Sequence, residues 1–320
     1  MDLVKGAGKV IEKQEEPAAQ KEVRSSKEYI EAYANYIKTG DDRECRALLT
    51  ETVSGTVPVP SILDEIVRTA WDNEAILYRV RRTKIRGNLK VAFEKSADGA
   101  YVHTEGTSAP TEEALTLGIV TMIPRNIKKW ITISDEAITM GGENLVRYIY
   151  DELTYQIVKK LAALVVADVA EAPTSATSTA ASAAAITEAP SVVTFADAFA
   201  NLSDEARNPV IVMHKLTYAN FVAAQAAGNF SFDPFRGFPV LFNNSLPAYD
   251  SASANAVYAF VGDLSGVQVN YPEGDGIVIK YDDVTEAEAD LVKVVGRQYC
   301  AHALTACGRF CNIKKPSSTT

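Results

Sequence analysis

The chain has 320 residues, a length that suits about two domains of roughly 150 residues each. Hydrophobic residues make up 47% and charged residues 23%, a globular balance that excludes a fibrous, collagen-like or wholly disordered chain. With 32 basic against 41 acidic side chains the net charge is −9, so affinity for nucleic acid or an anionic membrane would need a local basic patch.

No apolar signal core follows Met1 within the first thirty residues. The strongest apolar run, Leu161 to Ala167, is stopped by Asp168 and falls far short of the ~20 residues that span a bilayer. Secretion and membrane insertion are therefore not expected. The opening segment reads as a polar helical arm: Tyr29, Ile30, Tyr33, Tyr36 and Ile37 recur at helical spacing among charges, enough for a helix but not for a core. Gly40-Asp41-Asp42 interrupts it, and Val57-Pro58-Val59-Pro60 marks a boundary. A helix capped by Ser61 and running to about Trp71 follows, with Ile62, Leu63, Ile66 and Val67 on its apolar face.

Strands are predicted at Ile76 to Val80, Leu89 to Phe93 and along Leu115 to Ile133, with a polar, glycine-bearing segment between the last two. Two extended limbs joined by such an apex make a hairpin reaching ~30 Å at ~3.3 Å per residue. A lone two-stranded ribbon is marginal in water, so it is expected to rest on a neighbouring subunit and to leave the domain cores intact if deleted. The strongest helix signal opens near Glu143 and carries Leu145, Ile149, Leu153, Ile157, Leu161 and Val165 at i, i+4 spacing. It runs into an Ala/Ser/Thr tract from Ala172 to Ser191, which reads as a flexible connector. Beyond it the pattern alternates: helix at Phe195 to Leu202, strand at Val210 to Met213, helix at Thr217 to Ala227, and strands at Phe238 to Phe242 and Val257 to Val261. Asp290 to Lys315 is again strand-like.

This order of segments resembles the major capsid proteins of tailed bacteriophages, which have the Hong Kong 97-like fold. The resemblance is carried by Val57 to Val67, by Ala100-Tyr101-Val102 through Glu105-Gly106 and Pro110, by Gly118 to Ser134, and by the helix from Glu143. It continues through Val212-Met213-His214, Gly228-Asn229-Phe230, Gly237-Phe238-Pro239-Val240, Asn244-Ser245-Leu246-Pro247, Gly262-Asp263-Leu264-Ser265 and Arg297 to Lys315. It implies an α+β capsid fold with an N-terminal arm at 1–55, a first part of the peripheral domain at 56–83 and an extended hairpin loop at 84–125. The peripheral domain would resume with its spine helix at 126–172, followed by a linker at 173–191, an α/β axial domain at 192–289, and return strands with a C-terminal tail at 290–320. Many family members begin with a cleaved scaffolding segment of a hundred or so residues; here only about fifty-five precede the resemblance, so the arm is either a mature-like terminus or a short scaffold.

Chemistry finds little support in the residues. Cys300, His302, Cys307 and Cys311 are spaced x1, x4 and x3 rather than as paired C-x2-C, so they read as small buried hydrophobes and not zinc ligands. Nothing in sequence supplies an orienting acid or oxyanion hole for a Cys300–His302 nucleophile pair. Gly274-Asp275-Gly276 is a turn without a phosphate-binding motif around it. Arg79, Arg81, Arg82, Lys84 and Arg86 form a basic run without interleaved aromatics, which suits a solvated strand face or inter-subunit partners better than a grip on nucleic acid. Lys90 and Lys95 lie on the hairpin, where one family member forms an isopeptide bond; no matching asparagine is fixed here, so exposed lysines are the expectation.

The reading is a non-enzymatic shell subunit without cofactors or metal. The resemblance implies pentamers and hexamers of itself, an icosahedral head enclosing double-stranded DNA without sequence-specific binding, and assembly in the bacterial host cytoplasm. Portal, scaffolding and decoration proteins are the implied partners. Contacts between subunits are expected at Lys90, Phe93, Glu94, Lys95, Tyr101, His103 and Glu105 of the hairpin and at Arg79, Arg81 and Arg82. The alternatives are an encapsulin-type nanocompartment shell of the same fold and, remotely, an α/β enzyme working from the axial domain.

Overall fold

The computed structural model describes residues 23–24, 26–39, 41–49, 74–96, 115–134, 142–228, 233–235, 237–274, 276–282 and 291–317. The Val57 to Pro60 boundary, the helix expected from Ser61 to Trp71 and the hairpin apex lie outside the described residues.

Two short helices come first, α1 (Lys27–Thr39) and α2 (Arg43–Leu48), broken where Gly40-Asp41-Asp42 was expected to break them. The expectation that this arm has no core is overturned. Tyr29, Ala32 and Tyr33 of α1 and Cys45 of α2 are buried in the main core, and the Tyr33 hydroxyl lies 3.4 Å from that of Tyr150. A single aromatic stripe on a short helix has nothing to bury within its own segment, and the long helix offers it a face.

The next segment, Ile76 to Val80, was expected as a strand and instead contains a helical turn, α3 (Ala75–Arg79). Ile76, Leu77 and Val80 are the buried positions; i, i+1, i+4 is a helical face, and the run is too short for alternation to be read. Strand β1 (Arg81–Thr83) follows, then β2 (Leu89–Ser96), β3 (Thr116–Met122) and β4 (Arg125–Ser134). The long helix, α4 (Gly142–Ala170), has 29 residues and is about 44 Å long at 1.5 Å per residue. Ile149, Leu153, Ile157, Leu161 and Val165 form the expected stripe, all buried, widened by Tyr150, Val158, Ala162, Val166 and Val169.

The Ala/Ser/Thr tract is not a free connector. Strand β5 (Ala184–Thr187) pairs in parallel with the last strand, and Ala181 and Ala183 are buried. The Ser178 carbonyl accepts from the Ile119 amide at 2.8 Å and the Pro173 carbonyl accepts from the Ala183 amide at 3.0 Å. Small side chains let this backbone lie close against its neighbours, so composition that resembles a linker here serves packing.

The remaining elements are α5 (Thr194–Ala200), β6 (Val210–Met213), α6 (Lys215–Gly228), β7 (Val240–Phe242), β8 (Val257–Gly262), β9 (Val267–Asn270), β10 (Val278–Asp282), β11 (Leu291–Leu304) and β12 (Phe310–Lys314). One sheet has the order β1-β9-β11-β10, with β4 also paired to β11; the other runs β5-β12-β8-β6-β7; β2 and β3 pair with each other. The long strand β11 pairs antiparallel with β4 from Leu291 to Cys300 and then with β9 from Ala301 to Leu304.

Two of the expected boundaries therefore shift. β9 and β10, assigned to the axial domain, belong to the sheet of β4 and β11, whereas β12, assigned to the returning strands, completes the sheet of β6 and β8. Alternation identifies a strand but not its partner, which is chosen over long sequence separations. The second sheet is buried on both faces: Val210 and Val212 enter the main core, while Ile211 and Met213 pack with Phe195 of α5 and Phe221 of α6. Asn312 of β12 ties the sheet to α4, its Nδ2 donating to the Val169 carbonyl at 2.8 Å.

Candidate functional site

The hairpin is an antiparallel ribbon in which Leu89 pairs with Met122, Val91 with Val120 and Phe93 with Gly118. Period-2 geometry sends these six positions to one face and Lys90, Ala92, Glu94, Leu117, Ile119 and Thr121 to the other. The first face packs onto the subunit itself: Phe93, Val120 and Met122 are core residues. Gly118 is required there, because a Cβ at that position would sit 2.3 Å from the Phe93 ring. The base of the ribbon thus does belong to a domain core, against the expectation that the whole hairpin stands apart. Phe93, offered as an inter-subunit contact, is only 4% exposed within its own chain and is a packing residue.

The second face is different. Leu117 is 55% exposed and Ile119 is 50% exposed, flanked by exposed Leu115 and Ile123. Lys90 and Glu94 are exposed on the same face, and Lys95 is half-buried beside a register shift between Glu94 and Ser96. Tyr101, His103 and Glu105 lie outside the described residues. An exposed apolar strip edged by charges is the kind of surface that marks an interaction site.

The basic run has local work. Arg81 donates from Nε to Oε1 of Gln268 at 3.1 Å, and a terminal nitrogen of the same guanidinium also donates to that oxygen. Arg82 donates to the Leu77 carbonyl at 3.2 Å, closing the end of α3. Buried Gln268 and Asn270 of β9 donate in turn to Thr83 Oγ1 at 3.0 Å and to the Ile85 carbonyl at 2.8 Å, tying β1 and the residues after it to β9. Arg79, Arg81 and Arg82 are all exposed.

The cysteines lie on different elements: Cys45 of α2 and Cys300 of β11 are both in the main core, with Cys307 packed against it, and Cys311 is in the core beneath α5 and α6. Burial pushes the Cys300 thiol up to about 12 and those of Cys45 and Cys311 up to about 11, so each stays protonated at neutral pH. No three His, Cys, Asp or Glu side chains among the described residues are placed to hold a metal ion. His302 does have an acidic partner, Asp168 of α4, whose Oδ2 lies 2.6 Å from Nδ1. Sequence spacing could not reveal this pair, whose members are 134 residues apart; it pins β11 to α4 near the end of the helix.

The sequence profile of the phage capsid family matches residues 55–314. The chain belongs to the phage capsid family. It is a structural major capsid protein with an α+β fold whose solved neighbours include capsids. One such neighbour is a capsid chain of an empty GTA particle, 15% identical, with a TM-score of 0.58 over 84% of this chain and 94% of that one. A structure from Mycobacterium phage Bobi is similar at 14% identity and a TM-score of 0.52, over 87% and 99% of the two chains. A virus-like particle from Pyrococcus furiosus shares the fold at 12% identity and a TM-score of 0.53, over 79% and 96%. No curated protein matches the sequence at significant similarity. Among the described residues of the capsid protein no helix is long and apolar enough to cross a membrane.

Proposed function

We propose that this capsid protein assembles into pentamers and hexamers and then an icosahedral head enclosing double-stranded DNA, with the outer face of the hairpin lying on a neighbouring subunit. The observation that carries the reading is the exposed strip of Leu115, Leu117 and Ile119 on a ribbon whose other face is already buried in its own subunit. Covering such side chains is worth about 1.5–3 kcal/mol for each one fully buried, and the contact repeats around every closed ring. Lys90 and Glu94 on the same face supply partners of either charge for the neighbour's rim. Assembly takes place in the bacterial host cytoplasm, with portal, scaffolding and decoration proteins as partners in building the head. The two arm helices, packed into the subunit's core from Tyr29 onward, favour a permanent terminus over a removable scaffold for that part of the arm.

Negative-stain electron microscopy of the expressed protein tests this. Shells or capsomer rings are expected from the parent, and folded but unassembled subunits from Leu117→Asp/Ile119→Asp. Normal shells from the double variant would refute the role given to that face.

A further inference from the structure

The sheet of β4, β11 and β10 has one face on α4, since a Cβ at Gly296 would meet the Leu153 side chain at 3.2 Å. Alternation then assigns the opposite face without ambiguity. Its rows follow from the register: Thr132 beside Lys293 and Asp282, Trp130 beside Val295 and Lys280, Lys128 beside Arg297 and Val278, and Asn126 beside Tyr299. Four cations, Lys128, Lys280, Lys293 and Arg297, are thus gathered around two aromatic rings with a single acid in the rows, on a protein whose net charge is −9.

The details of the face suit a ligand. Trp130 is 58% exposed at its centre, and Lys128 and Lys280 are exposed to either side. The Arg297 guanidinium lies 5.7 Å from the centroid of the Tyr299 ring. Its Nε is buried and has no hydrogen-bond partner among the described residues. Side chains two apart on a strand are ~6.8 Å apart and neighbouring strands ~4.8 Å apart, so the cations form a grid on the scale of successive phosphates. Basic groups that track a backbone, together with an exposed ring on which a base can stack, are the two components of sequence-independent nucleic-acid binding.

We propose that this face binds the phosphodiester backbone of nucleic acid, with Trp130 against a base or sugar. It is the local basic patch that an acidic chain needs for such a contact. A few phosphate contacts make the interaction weak and strongly dependent on salt, so many subunits can touch a polynucleotide without immobilising it.

The test uses full-length, unassembled subunits carrying Trp71→Phe, which leaves Trp130 as the only tryptophan. A 20-nucleotide oligo-dT and a 20-base-pair duplex are titrated separately at several salt concentrations. Quenching of Trp130 by either is expected, with log K falling against log salt with a slope of about −3. Quenching by oligo-dT alone assigns Trp130 to base stacking; quenching by both assigns the face to the backbone of either form. Lys128→Glu/Lys280→Glu, at exposed positions that leave the fold intact by circular dichroism, should weaken binding by on the order of ten-fold or more and flatten the slope by about 1.5. Unchanged binding by that variant, or no quenching at low salt, would overturn the proposal. So would binding that appears only after Asp283, Glu286, Glu288 and Asp290 are neutralised, which would make that acidic segment the occupant. Loss of assembly in the variant while the parent binds neither oligonucleotide would make the face a subunit contact instead, and would also overturn it.

Discussion

Gly118→Ala tests the packing of the hairpin base. Gly118 has no positive φ, so the substitution carries no backbone penalty and would by propensity favour a strand. The cost is steric: the new Cβ would lie 2.3, 2.7 and 2.9 Å from three carbons of the Phe93 ring. That ring is 4% exposed and cannot swing into solvent without leaving the core. Overpacking of this kind costs about 1–3 kcal/mol. Phe93→Ala alone should cost about 3–5 kcal/mol by emptying the site. The two substitutions share one volume, so the double variant should be more stable than the sum of the singles by about 1–3 kcal/mol. Urea unfolding of the unassembled subunit, followed by circular dichroism, measures all three. Additive losses, or a Gly118→Ala protein as stable as its parent, would refute the docking of this ribbon on its own subunit.

Further outcomes are expected elsewhere in the fold. Tyr33→Ala should destabilise the subunit by about 3 kcal/mol in the same unfolding assay, because it empties a buried site between α1 and α4; no change would mean that the arm is not part of the core. A thiol reagent at pH 8 should label half-buried Cys307 first, with Cys45, Cys300 and Cys311 protected in the native protein. Desolvation raises the pKa of these three, to about 11 for Cys45 and Cys311 and about 12 for Cys300, so their thiolate fraction grows only well above pH 8, and rapid native labelling of Cys300 at pH 8 would contradict its burial. Asn312→Ala removes the hydrogen bond to the Val169 carbonyl and should cost about 1–3 kcal/mol, read as a lower urea midpoint.

What could be read from the residues followed from periodicity. The α4 stripe from Ile149 to Val165 and the alternation of the hairpin limbs survive intact because their signals are local and long. The failures are non-local. Tyr29 and Tyr33 looked like a surface stripe until α4 supplied their partner. Phe93 was assigned outward because its packing depends on Gly118 across the ribbon. The alanines around 184 look like a linker since parallel pairing with β12 leaves no local trace. The face around Trp130 was missed for the same reason. Its halves, Lys128-x-Trp130 and Lys293-x-Val295-x-Arg297-x-Tyr299, show the right alternation, but more than 160 residues separate them in sequence and only the register of β4 on β11 makes them one surface. The pairing of His302 with Asp168 is likewise a product of where β11 crosses α4.

The most direct measurement is a cryo-electron microscopy reconstruction of particles assembled from the full-length protein. It should place Leu117 and Ile119 against a neighbouring subunit while Phe93, Val120 and Met122 remain buried in their own. Leu117 and Ile119 left in solvent within a closed shell would contradict the claim that the hairpin's outer face joins one subunit to the next.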